Sequence, residues 1–208
     1  MSQAERHLNS LMRQLATQQH VELVRPFTEL KTLGALVYVA ECFGFRYAGL
    51  RLVGRHKVLH IDLVRDPEPW AQQRAATNAA TFTQVGAGGP VPGMYLNSLT
   101  PVPEAEADVD LICALIKYDG LVEAGNRKQL LTLGWGSAAL FLLLAVVSGV
   151  YAVLLPLAVL APAFMLGALR VNTVRRAKLA QRLRAAGCTP VRDDAGRERY
   201  VRPVPHAV

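Results

Sequence analysis

Between Gln129 and Leu169 the sequence contains no Asp, Glu, Lys or Arg. That uncharged run is 41 residues long. A bilayer's hydrocarbon core takes about 20 helical residues to cross, so the run is long enough for two crossings. Within it only Tyr151 carries an ionisable side chain. Ion and proton pathways rely on charged or titrating groups inside the membrane, which argues against a transporter acting alone.

Other absences narrow the reading further. The three cysteines, Cys42, Cys113 and Cys188, are far apart and form neither a CxxC pair nor a Cys/His cluster. This excludes a disulfide framework and fits a reducing compartment. Cys42 and Cys113 fall in apolar helical patterns, where an inert buried thiol is expected. The N-terminal stretch MSQAERHLNSLMRQ lacks an apolar core, so no secretory signal is expected. There is no GxxxxGK[ST] loop, since GAGGPVPG has no Lys-Ser/Thr pair, and no GxSxG or HExxH motif. No cofactor and no metal is expected.

What is present is an uneven distribution of charge. Residues 1–128 hold 13 Lys and Arg against 13 Asp and Glu. From Arg170 onward ten basic residues face Asp193, Asp194 and Glu198, so the whole net charge of +7 lies behind the apolar run. Arg127 and Lys128 precede the run, and Arg170, Arg175, Arg176 and Lys178 come after it. Basic residues at both ends predict a hairpin whose two ends lie in the cytoplasm. A basic stretch beside a span matches anionic lipid headgroups rather than nucleic acid. Arg170, Arg175, Arg176, Lys178, Arg182 and Arg184 are the candidate contacts to headgroups or to a protein partner.

Along the chain, Leu8, Leu11, Met12 and Leu15 recur at helical spacing, and Ser2 with Glu5 has the spacing of a capping box. His20 to Pro26 reads as a short extended link. Thr28 is positioned to cap a helix running to Phe43 or Gly44 whose apolar residues cover most of its circumference. FRYAGLRLV and KVLHIDLVR flank a GRH turn, the pattern of a β-hairpin, with Leu59, Ile61 and Leu63 on one face. Further helices are expected over 70–82 and 104–119, the second ending at Gly120, with a short strand near 94–99. Inside the apolar run the spacing places helices at about 130–148 and 151–171. Gly134, Gly136 and Ala138 form a small-residue patch on the first, and Ala158, Ala161 and Ala163 on the second. Behind them a basic helix should end at Gly187, with a second hairpin around a DDAG turn after it.

The expected fold class is thus a membrane protein of α+β type. A cytoplasmic domain of helices and a β-hairpin spans 1–125, a transmembrane helical hairpin 126–171, and a basic cytoplasmic tail 172–208. One constellation could carry chemistry: His60 and Asp62 on one strand face, with Glu41 on the preceding helix. Polar residues at i and i+2 are equally the mark of a solvated strand face. The functional expectation is a two-pass anchoring or scaffolding protein of a bacterial inner membrane. It would contact anionic lipid and a protein partner or further copies of itself. A pore-forming effector and a membrane-tethered enzyme are the alternatives.

Overall fold

In the computed structural model the described residues are 3–26, 29–53, 58–85, 87–124, 127–193 and 196–202. Ser2, Thr28, the GRH turn, Asp194 and Ala195 of the DDAG turn, and residues 203–208 lie outside them, so the caps and turns expected there are not described. The described residues form an α+β protein with six helices and two small sheets. They fall into two compact units, Met1–Gly120 with Leu183–Val208, and Leu121–Arg182. The expected separate tail therefore divides: its end belongs with the N-terminal segment rather than standing apart.

In the first unit, α1 (Gln3–Thr17) turns Leu8, Leu11 and Leu15 inward. It leads into β1 (His20–Arg25), α2 (Leu30–Cys42), β2 (Phe45–Val53) and β3 (Val58–Arg65). The segment expected to be a link, His20 to Pro26, is instead mostly a strand: β1 pairs antiparallel with β3, with Val21 opposite Leu63 and Leu23 opposite Ile61. The sheet order is β1-β3-β2. Leu59, Ile61 and Leu63 are fully buried, as their alternation requires.

The buried sheet face packs with α1, α2 and α4 (Pro103–Ala124) into one core, to which Leu33, Leu36, Val37, Ile112 and Ile116 contribute. Gly34 is where α2 and α4 come closest, since a Cβ there would collide with the Cys113 sulfur. Helix α2 ends before Gly44, whose φ of +81° suits glycine. Helix α3 (Pro69–Thr81) covers that end: Arg74 Nη2 donates to the Glu41 carbonyl, and Asn78 Nδ2 to that of Cys42 at 2.8 Å. These bonds satisfy carbonyls that the last turn of a helix leaves open.

Two further expectations are corrected in this unit. Residues 94–99 make a single bridge, Met94 to Pro101, rather than a strand. Gly120 does not stop α4, which continues to Ala124. Gly120 is absent from the glycines with positive φ, so its backbone never adopts the helix-ending conformation.

In the second unit, α5 (Arg127–Ser148) and α6 (Tyr151–Ala185) are each long and apolar enough to cross a membrane. Gly149, at φ +69°, makes the turn between them. Only 17% of the most apolar window of α5 is buried, and 6% of that of α6. Gly134 lies against Met165 and Pro162, so the small-residue patch does bring the helices together, while Gly136 faces open space. Helix α6 runs without a break through the basic stretch, and Gly187 at φ +81° lies just past its end. Back in the first unit, strands β4 (Thr189–Arg192) and β5 (Glu198–Val201) form the expected second hairpin.

Candidate functional site

His60 and Asp62 lie on the sheet face opposite the core, as the alternation predicts. Their neighbours are strand residues. His60 Nδ1 meets Glu22 Oε1 at 2.8 Å, and His20 Nε2 meets Asp62 at 3.2 Å. The Arg51 guanidinium joins both carboxylates, each at 3.1 Å. Every member has a partner on an adjacent strand, which is how a polar sheet face satisfies itself. Glu41 does not join this group: it sits on α2, against the other face. The structure therefore separates the residues that the sequence grouped. Among the described residues no three His, Cys, Asp or Glu side chains are arranged to hold a metal.

Glu41 belongs to a different place. A cleft of about 250 Å³ lies in the first unit, bounded by Glu41, Tyr47, Trp70, Arg74, Asp119, the β5 residues Arg199 to Val201, and Arg202 just past β5. Each wall has a local origin. The end of α2 supplies Glu41, the start of β2 supplies Tyr47, α3 supplies Trp70 and Arg74, and α4 supplies Asp119. The last wall comes from β5, at the far end of the chain from β2.

Three contacts fix that last wall. Arg202 donates from Nη1 to Glu41 Oε2 at 2.5 Å and from Nη2 to Asp108 Oδ1 at 2.7 Å. Arg199 Nη1 donates to the Ala48 carbonyl at 3.0 Å. The register of β2 against β3 shifts between Tyr47 and Gly49, and Ala48 is the extra residue of this bulge. A bulged residue loses its ladder partner, and Arg199 supplies the missing donor. Tyr200 is buried and packs edge-on against Tyr118 at 4.9 Å between ring centres.

The carboxylates of the cleft are held unlike those on the sheet face. The Glu41 side chain is only 16% exposed. Burial pushes its carboxyl above the usual range, while the Arg202 and Arg74 guanidiniums pull the other way. Burial also raises the Asp119 carboxyl, opposed first by the hydrogen bond that Tyr47 donates to its Oδ2 at 2.7 Å. Tyr47 in turn is pushed well up, by burial and then by the Asp119 charge.

The basic candidates on α6 separate as well. Arg170, Arg175, Lys178 and Arg182 are exposed and Arg176 is half-buried. Arg184 is exposed too, its side chain at 61%, while its Nε donates to the Tyr200 hydroxyl at 2.9 Å and its Nη2 approaches Glu198 at 3.4 Å. Among the six basic candidates it is the one with bonds to β5. The cleft itself was not legible, because Tyr47, Asp119 and Arg202 share no motif and meet only through the fold. In comparison with known proteins, the chain matches no family model, no curated sequence and no solved structure.

Proposed function

We propose that this protein is an integral membrane tether that holds one interaction domain at the cytoplasmic face of a bilayer, as an anchoring or scaffolding module. The observation that carries the reading is the discontinuous first unit. Segments on both sides of the apolar helix pair fold into one compact body, Met1–Gly120 with Leu183–Val208. A hairpin entering and leaving on the same side permits that arrangement. An odd number of crossings would put the two segments on opposite faces.

The apolar surface supports a lipid setting. Seventeen large apolar side chains between Leu133 and Leu166 are exposed. Full burial of such a side chain is worth up to roughly 1.5–3 kcal/mol, and these are 39–77% exposed, so each leaves a part of that unrealised in water. Surface of this extent calls for lipid or further protein around it.

The basic row on α6 supports contact with anionic headgroups, and the geometry ranks its members. At about 1.5 Å of rise per residue, Arg175 stands roughly 7.5 Å beyond Arg170, Lys178 roughly 12 Å and Arg182 roughly 18 Å. The headgroup layer is about 5–8 Å deep on each side of the hydrocarbon. Arg170 and Arg175 are thus the direct headgroup contacts of a helix that stands upright. Lys178 and Arg182 act at longer range through the surface potential, or contact a protein.

The test is fractionation of the full-length protein. After washing at alkaline pH the protein remains with the membrane pellet and floats with lipid in a density gradient. Release into the soluble fraction overturns the tether.

A further inference from the structure

The β4–β5 hairpin closes the cleft without joining the main sheet. Strand β5 pairs with β4 alone, and β2 remains an edge of the three-stranded sheet. The hairpin is held to the rest of its unit by side chains: Arg202 on Glu41 and Asp108, Arg199 on the Ala48 carbonyl, and Tyr200 on Tyr118. Parting it from the unit breaks these contacts but leaves every hydrogen bond of the β1-β3-β2 ladder intact.

The closed arrangement also contains an opposing force. Three buried polar atoms of cleft residues have no hydrogen-bond partner among the described residues: Asp119 Oδ1, Trp70 Nε1 and Arg74 Nε. A polar group buried without a partner favours any arrangement that lets water reach it. Ion pairs hold the cleft shut, and unsatisfied groups work against them. An element that shares no backbone ladder with the main sheet and is opposed in this way is suited to open locally rather than globally.

We propose that the β4–β5 hairpin is a reversible strap, latched by Arg202 on Glu41 and Asp108, whose opening uncovers the Tyr47–Asp119 wall of the cleft while the core stays folded. Arg202 is the latch because its fork engages two helices at once: Glu41 belongs to α2 and Asp108 to α4. A lysine offers one point charge in place of that fork.

Hydrogen exchange on the full-length protein in detergent micelles tests the strap, with Trp70 as a second probe. Trp135→Phe leaves Trp70 as the single tryptophan. In Arg202→Ala, amides of Thr189–Arg192 and Glu198–Val201 should exchange roughly tenfold faster or more and stay far less protected than those of α2 and β3, which change by no more than the overall loss of stability. Acrylamide quenching of Trp70 should rise in parallel, and Arg202→Lys should fall between. Should Arg202→Ala fail to fold, the parent protein decides the matter. Raising the salt from about 0.05 to 0.5 M screens the exposed Asp108 pair, so strap exchange should speed up while core exchange does not. Strap amides as well protected as those of the core, or strap exchange unmoved by both the substitutions and salt, would overturn the proposal.

Discussion

Arg202 and Glu41 meet at 2.5 Å although 161 positions separate them in sequence. The two apolar helices lie between them in the chain, so this ion pair joins the segment before the helices to the segment after them. Both side chains are under one-fifth exposed. Arg202→Ala leaves the Glu41 carboxylate with the more distant Arg74 as its remaining cation. Breaking a fully buried pair costs about 3–5 kcal/mol. For this partly solvated one the expected loss is roughly 2–3 kcal/mol, with Arg202→Lys recovering part of it. Urea unfolding monitored by circular dichroism measures both. A loss below about 0.5 kcal/mol would place the pair among ordinary surface bridges.

Asp119 gives a pH dependence of definite sign. Burial raises its carboxyl above its ordinary value of 3.8. A carboxyl raised on folding contributes its stability fully below the unfolded value, and that contribution is lost as pH rises through the folded value. Asn at this position still accepts from Tyr47 and cannot ionise. The stability of Asp119→Asn relative to the parent should therefore increase as pH rises from below about 4 to 7. Paired unfolding curves at the two ends check this, and a difference that moves the other way would contradict it.

Gly34 and Cys113 form a matched pair where α2 crosses α4. A methyl at position 34 has no room beside the Cys113 sulfur. Gly34→Ala alone should cost about 1–3 kcal/mol through overpacking. Adding Cys113→Ala vacates that space, so the double variant should be more stable than the sum of the two single losses implies. A double-mutant cycle reads the coupling directly. Additive losses would mean that the helices adjust in some other way.

The reach of the sequence depended on how local each signal was. The alternation of Leu59, Ile61 and Leu63, the uncharged run and the Gly187 stop are local patterns, and each is realised in the structure. Strand β1 was also legible, because Val21 and Leu23 alternate with His20 and Glu22 in a β-branched-rich run. Pro26 obscured it by making the segment read as a link. Gly120 misled in the opposite direction: glycine ends a helix only when its backbone reverses, and the apolar residues Leu121 and Val122 continue the α4 pattern. The cleft had no local signal. Arg202 looks like any tail arginine until Glu41 is placed beside it, and the bond from Arg184 to the Tyr200 hydroxyl has no local signal either.

The central claim is that both flanks of the apolar pair lie on one side of a membrane, and topology labelling tests it most directly. Cys42, Cys113 and Cys188 are all buried, so single cysteines are introduced at exposed positions in a background with the native three replaced. Glu104→Cys reports the first flank, Ala186→Cys the second and Val150→Cys the turn between α5 and α6, all three being exposed. In sealed cells treated with a membrane-impermeant maleimide, the account predicts labelling at position 150 alone, with 104 and 186 reacting only after the membrane is opened. Labelling of 104 and 186 from opposite sides would contradict it.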